Sequence, residues 1–210
     1  MWGAKTPRII QNTFPEITWK KNEKNKNIYL TFDDGPCLYS TDWILNLLSK
    51  KNIQSTFFCI GENAKANPKI IDSIIQSGHL IGNHTYSHTN GALTSTQNYI
   101  QDIKRCEDVI PYTNLFRPPF GKIYPWQIKR IKTRYKIIMW DIMSYDFNPS
   151  ISKKKLQNNV IQNVEKGSII VFHDNKLAIE NLKKNLVEIL ENLSDSGYKF
   201  KLFRSNTKEV

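Results

Sequence analysis

The chain of 210 residues carries 40% hydrophobic, 23% charged and 11% aromatic side chains with nine Gly and nine Pro, the profile of one globular core and not of a stapled mini-protein, a collagen or a disordered polymer. No apolar run approaches the ~18 to 20 residues that cross a bilayer, and Met1 to Ile10 lacks the apolar core and cleavage site of a secretory signal. The expectation is therefore a cytoplasmic protein with no transmembrane segment, any action at the cell envelope requiring export by an unseen route.

The net charge of +11 reads either as a solvated basic surface or as an anion-attracting face. Only six of the thirty cations are Arg, and Lys, Asn and Ile fill about a third of the chain, a compositional bias that favours the first reading. Cys37, Cys59 and Cys106 are odd in number and widely spaced, so neither a disulfide framework nor a cysteine zinc site is encoded. A reducing compartment fits them. The sequence carries no signal of oligomeric state.

In chain order, the polar stretch Trp19 to Asn27 precedes the first strand-like run, which makes 1–27 a lead-in packed on a domain over 28–210. From there β-branched or aromatic runs recur at Ile28–Phe32, Ser55–Ile60, His79–Ile81, Leu115–Phe116, Lys136–Trp140, Ser168–Phe172 and Tyr198–Phe203, making seven strands. Segments of helical period separate them: one opening at Thr41-Asp42, one over Lys69–Gln76 behind Asn67-Pro68 and ahead of Gly78, one over Thr94–Ile110 stopped by Pro111, and one over Leu177–Leu193 before Gly197. Such alternation predicts parallel β/α units. The chemically capable residues fall at strand ends: Asp33 and Asp34, His84 and His88, Arg117, Asp141 and Asp146, then His173 and Asp174. In a barrel of parallel strands these ends form one face, where active sites are built. Seven strands are few for an eightfold barrel, so the expected form is α/β, a distorted, reduced (β/α) barrel of about seven parallel strands. A doubly wound open sheet is the alternative.

Asp33-Asp34, within Thr31-Phe32-Asp33-Asp34-Gly35-Pro36, sets two repelling carboxylates at a strand end before a forced turn. Either one binds a metal while the other accepts a proton, or the hexapeptide is an Asx-type turn capping a helix. In His84-Thr85-Tyr86-Ser87-His88 the spacing of four puts both imidazoles on one face of a helical turn, within reach of one ion; surface or capping histidines are the alternative. Two imidazoles plus one carboxylate would make an open, catalytic site, not a closed structural one. His79 reads as structural. Arg117-Pro118-Pro119-Phe120-Gly121 fixes a guanidinium on a stiff turn, suited to pairing with an Asp and holding it ionised, unless it is a plain solvated loop. His173, ending a buried run, is an acid near neutrality or a core histidine.

Taken together, from about Ile28 to about Phe203, these motifs resemble the polysaccharide deacetylase family, the NodB-like carbohydrate esterases, in family order and almost letter for letter in the first three. The resemblance implies a distorted barrel and metal-dependent removal of acetyl groups from N-acetylated sugars, or O-acetyl groups from xylan in some members. It implies one divalent ion, usually zinc, on Asp34, His84 and His88, with Asp33 as general base tethered by Arg117. His173 would protonate the departing amine, oriented by Asp146, and a backbone N–H near Phe120 would stabilise the oxyanion. Pro119, Phe120 and Phe147 would line the sugar groove. The fourth motif departs from the family's Asp-x-x-Asp-Trp: Met143-Ser144-Tyr145-Asp146-Phe147 keeps only the second Asp, which alters a groove wall more than the chemistry. In the fifth motif Val171 replaces the usual Leu, a conservative change. The expected partner is an acetylated glycan such as peptidoglycan or a chitooligosaccharide. Nucleic acid is not expected, since the aromatics fall mostly in core runs. Two alternatives stand: a silent sugar-binding module, which would have lost Asp33 or a metal ligand, and a deacylase of lipid-linked or small-molecule amides.

Overall fold

The computed structural model describes residues 3–203; Met1, Trp2 and 204–210, the outer ends of the expected lead-in and domain, lie outside the described residues. The lead-in forms α1 (Arg8–Thr13) and β1 (Ile17–Thr18). There follow β2 (Asn27–Asp33), α2 (Thr41–Lys50), β3 (Thr56–Cys59), α3 (Gly61–Ala66), α4 (Pro68–Gln76), β4 (Leu80–Asn83), α5 (Thr96–Glu107) and β5 (Leu115–Phe116). The remainder comprises α6 (Pro125–Ile131), β6 (Lys136–Ile138), β7 (Ile142–Met143), α7 (Lys153–Ile161), β8 (Ile169–His173), α8 (Ile179–Asp195) and β9 (Lys199–Phe200).

Among the described residues every strand pair is parallel, in the order β1-β6-β5-β4-β3-β2-β8-β7, with β9 beside the start of β2. Strands β2 to β6 are neighbours in chain order, and β8 returns to the far side of β2, so the sheet curls into the expected distorted barrel. At its β7 end, residues 4–6 lie along the last strand: Met143 N–H donates to the Ala4 carbonyl and Thr6 N–H to the Asp141 carbonyl, both at 2.8 Å.

Strand alternation decides what faces the barrel interior. On β2, Ile28, Leu30 and Phe32 join Ile170 and Phe172 of β8 in the cluster shared with Ile44 and Leu48 of α2 and Leu182, Leu186 and Ile189 of α8. The opposite parity, Tyr29 and Ile169 with Phe58, Leu115, Ile138 and Phe203, fills the inside. Two steps further along the same inward lines stand Asp33 and His173, which are register partners on adjacent strands. The α8 stripe of Ile179, Leu182, Leu186, Ile189, Leu190 and Leu193 keeps the helical period that buries one face against the sheet.

Two expectations need correcting. The run Lys136–Trp140 is not one strand: β6 ends at Ile138, and the chain turns through 139–141 into β7. Asp141 therefore precedes a strand instead of following one. Wholly buried away from the chemical face, it accepts from Ser168 Oγ at 2.6 Å and from Gln11 Nε2 at 3.2 Å. Nor do His84 and His88 share a helical turn, for the segment after β4 is an irregular loop in which Thr85 (φ 63°) and His88 (φ 54°) are left-handed.

Candidate active site

Arg117 leaves β5 into the barrel and is completely buried. Its Nη1 donates to Asp33 Oδ1 at 2.6 Å and to Thr31 Oγ1 at 2.8 Å, Nε to the Ile138 carbonyl at 3.1 Å and Nη2 to the Met139 carbonyl at 2.9 Å. The guanidinium carbon lies 4.1 Å from the centroid of the Phe58 ring. Burial draws the Arg117 pKa below its ordinary value, against the pull of Asp33. A charge this deep is tolerable only with its donors satisfied and a counter-charge in contact, and both conditions hold here.

Asp34 breaks from the strand with φ 77°, which turns its carboxylate away from Arg117 and toward the histidine loop. Its Oδ1 stands 3.5 Å from His84 Nε2 and 3.2 Å from His88 Nε2, and the three ligand atoms lie within 4.8 Å of one another. Burial would raise the Asp34 pKa, but the side chains of His84 and His88 hold it well below the usual carboxylate range. His84 Nδ1 is 2.7 Å from the Arg117 carbonyl; that contact requires Nδ1–H, so in the neutral imidazole Nε2 is the nitrogen that carries the lone pair. Two imidazoles and one carboxylate oxygen within one reach, with the ring of His84 anchored through Nδ1, fit a divalent ion with open positions.

The loop carrying the histidines is held from α5. Asp102 accepts from Ser87 N–H at 3.1 Å, Ser87 Oγ at 3.2 Å and Thr89 Oγ1 at 2.7 Å. Asn83 Oδ1 accepts from Thr85 N–H at 2.8 Å, and Thr85 Oγ1 from Thr89 N–H at 3.0 Å.

Opposite the histidines, His173 closes β8. Asp146, wholly buried beyond β7, accepts from His173 N–H at 2.7 Å through Oδ2 and faces His173 Nδ1 at 2.8 Å through Oδ1, which also accepts from Ser144 Oγ at 2.8 Å. Burial disfavours the imidazolium, yet Asp146 by charge and hydrogen bond, aided by Asp34 and Asp33, pushes the His173 pKa up to about 9. Phe147 meets the His173 ring edge-on, centroids 4.8 Å apart. Phe120 (φ 59°) lies exposed with its ring 4.5 Å from that of His88, on a short turn whose Pro119 is buried. A groove of about 560 Å³, lined by Asp34, Asn63, His88, Asn175, Lys176 and Tyr39 among others, opens at the histidines. Beyond Phe120 a second cleft of about 590 Å³ is walled by Phe14, Trp19, Trp140, Met143 and Tyr145.

Of the six non-glycine residues with positive φ among the described residues, five belong to these loops: Asp34, Thr85, His88, Phe120 and Tyr145. His79, as expected, sits apart, its Nδ1 accepting from Ser55 N–H at 3.1 Å and burial lowering its pKa to about 4. Asp174, one of the strand-end residues marked in the sequence, accepts from Ser40 and Thr41 beneath the Asp34 turn. Two further residues support the site without a sequence signal of their own: Asp102, and Asn175, whose Nδ2 donates to Asp34 Oδ2 at 2.7 Å.

Comparison with known proteins gives a match to the family model described as polysaccharide deacetylase over residues 20–136. One relative, a peptidoglycan-N-acetylglucosamine deacetylase of Bacillus cereus, is 39% identical over 152 residues, covering 70% of this chain and 55% of the relative. A second of the same description and organism is 32% identical over 193 residues, 88% of this chain and 89% of the relative. The crystal structure of the Bc1960 peptidoglycan N-acetylglucosamine deacetylase in complex with 4-naphthalen-1-yl-N-oxidanyl-benzamide superposes with a TM-score of 0.83 at 31% identity, over 93% of this chain and 94% of that one.

Proposed function

Since the chain belongs to the polysaccharide deacetylase family, we propose that it is a metal-dependent hydrolase removing N-acetyl groups from an amino-sugar polymer of the cell envelope, peptidoglycan first. The observation that carries this reading is the meeting, on one barrel rim, of the Asp34–His84–His88 donor set with the Asp33–Arg117 and His173–Asp146 pairs. The names of the relatives support the substrate class.

In this reading Asp34, His84 and His88 would hold the ion, zinc by the chemistry of the donors, and when bound it supplies Lewis acidity to the acetyl carbonyl and to water. Asp33 takes the proton from the attacking water, kept in position by Arg117. The water oxygen joins the carbonyl carbon, and the N–H of the Phe120 region donates to the oxygen that gains charge. As the C–N bond breaks, the His173 imidazolium gives its proton to the nitrogen, so the products are acetate and a free amine. Asp146 keeps that imidazolium oriented and charged. Phe120 and Phe147 stand on either side of the reacting centre as walls for the sugar, Pro119 stiffening the turn beneath the first. Clefts on both sides of Phe120 leave room for sugars flanking the reacting one, which favours a polymer over a monosaccharide.

The test is acetate release by the zinc-loaded protein from peptidoglycan fragments, chitooligosaccharides and acetylated xylan. Release from peptidoglycan above the others is the expected result; no release from any of them would sink the reading.

A further inference from the structure

The Asp34 carboxylate is held from two sides. Oδ1 faces both imidazoles, whereas Oδ2 accepts a hydrogen bond of 2.7 Å from Asn175 Nδ2. Asn175 cannot turn its amide over, because its own Oδ1 accepts from the backbone N–H groups of Leu177 at 2.9 Å and Ala178 at 3.0 Å, an Asx turn leading into α8. Exchanging the amide ends would set N–H against N–H and a carbonyl oxygen against the carboxylate. The segment bearing Asn175 is pinned in turn to the strand end that bears Asp34: Asp174 N–H donates to the Asp33 carbonyl at 2.7 Å, and the Asp174 carboxylate takes the Ser40 and Thr41 hydroxyls. The space is tight enough that a Cβ on Gly35 would come within 2.2 Å of Asp174 Oδ2.

We propose that Asn175 is a positioning residue for the ion: by occupying Oδ2 it makes Asp34 a one-oxygen ligand through Oδ1, and so sets the coordination number and metal preference of the site. This rests on the reading of Asp34, His84 and His88 as the ion site. The physical reason is the choice open to a carboxylate. With both oxygens free it chelates, adding a ligand atom and suiting larger ions of high coordination number. With one oxygen tied back it leaves the three-ligand, open arrangement of a catalytic zinc. Partners of this outer kind are worth about 10- to 100-fold in metal affinity or activity.

Two variants of the full chain separate this role from the start of α8. Asn175→Ser keeps an oxygen for the turn but is too short to reach Asp34; Asn175→Ala removes both functions. Zinc affinity is measured by competition with a chromogenic chelator, and coordination by the visible d–d absorption of the cobalt(II) form, which weakens as ligands are added. Both variants are expected to bind zinc about 10- to 100-fold more weakly, with a weakened cobalt absorption and a narrower preference for zinc over manganese. Asn175→Ser should keep the parent's metal-free thermal midpoint. Parental zinc affinity and an unchanged cobalt spectrum in Asn175→Ser would overturn the inference, as would defects confined to Asn175→Ala and matched by its loss of metal-free stability. A His88→Ala variant serves as the reference. If it too keeps the parent's zinc affinity, the ion is elsewhere and the underlying reading falls as well.

Discussion

Asp33 and Asp34 are adjacent in sequence and opposite in company. One lies against a fully buried guanidinium and the other against two imidazoles, because φ 77° at Asp34 ends the strand's alternation. The proposed division of labour makes Asp33→Asn selective: metal content, read by elemental analysis, should stay at the parent level while turnover falls by about 10² to 10⁴, the usual worth of a positioned base. Loss of metal along with activity would reassign Asp33 as a ligand. On the other side, the His173 pKa is raised to about 9, chiefly by Asp146. An acid so poised stays charged below that value, and the rate should fall as pH rises through it. Asp146→Asn should lower kcat and move that alkaline limb downward, since an imidazolium with less support loses its proton sooner. His173→Ala should be worse, and the double variant little worse than His173→Ala, because residues acting as a unit are non-additive. Strictly additive losses with an unmoved limb would leave Asp146 a structural residue.

At the scale of elements, the histidine loop depends on a helix that contributes no ligand. Three hydrogen bonds converge on Asp102 of α5, so Asp102→Ala leaves the donors of Ser87 and Thr89 without an acceptor. The expected cost is about 1 to 3 kcal/mol of stability, read by chemical denaturation, together with weaker zinc binding through His88. A variant that loses stability but keeps zinc affinity would mean the loop holds its shape unaided. Here lies the boundary of what the sequence made legible. Motif spacing singled out Asp33, Asp34, His84, His88, Arg117, Asp146 and His173 by residue type at strand ends, and the fold brings them to one rim. It misjudged how the histidines meet, since a four-residue spacing is equally compatible with a helical turn and with a loop bent by left-handed residues. The two-residue strands β1 and β7 are too short to display a period, and missing β7 placed Asp141 on the wrong face. Asn175 and Asp102 are ordinary polar residues whose value depends on what the fold sets opposite them.

For the molecule as a whole, the lead-in completes the sheet. Residues 4–6 occupy the edge of β7, and Lys5 and Lys20 grip Glu165 at 2.7 and 2.9 Å. The hydrogen bonds of Lys5 and Lys20 depress the Glu165 pKa from 4.5 to about 2. A depressed carboxylate contributes stability that is present above pH 4.5 and lost as pH falls through about 2. Being partly exposed, the cluster should also weaken with salt. Deleting the chain through Pro7 strips the β7 edge and one of the two lysines. The thermal midpoint should drop by several degrees, at about 2 to 4 °C per kcal/mol for a chain of this size, and the acid-sensitive step below pH 4.5 should shrink. An unchanged midpoint would show that the sheet holds its edge without the strap.

The concentration of left-handed residues around the groove bears on how such a protein changes under selection. Thr85, Phe120 and Tyr145 hold a conformation costing about 1 to 3 kcal/mol each for residues with a Cβ, while Asn52, the one such position outside the site among the described residues, carries a side chain that tolerates it. The fold thus keeps a reserve of unclaimed stability where the chemistry is placed. A library screened for heat resistance alone should collect Gly or Asn at Thr85, Phe120 and Tyr145, and its survivors should hydrolyse more slowly as they melt later. Survivors that retain all three residues, or that gain heat resistance there at undiminished turnover, would show that stability and catalysis do not compete at this rim.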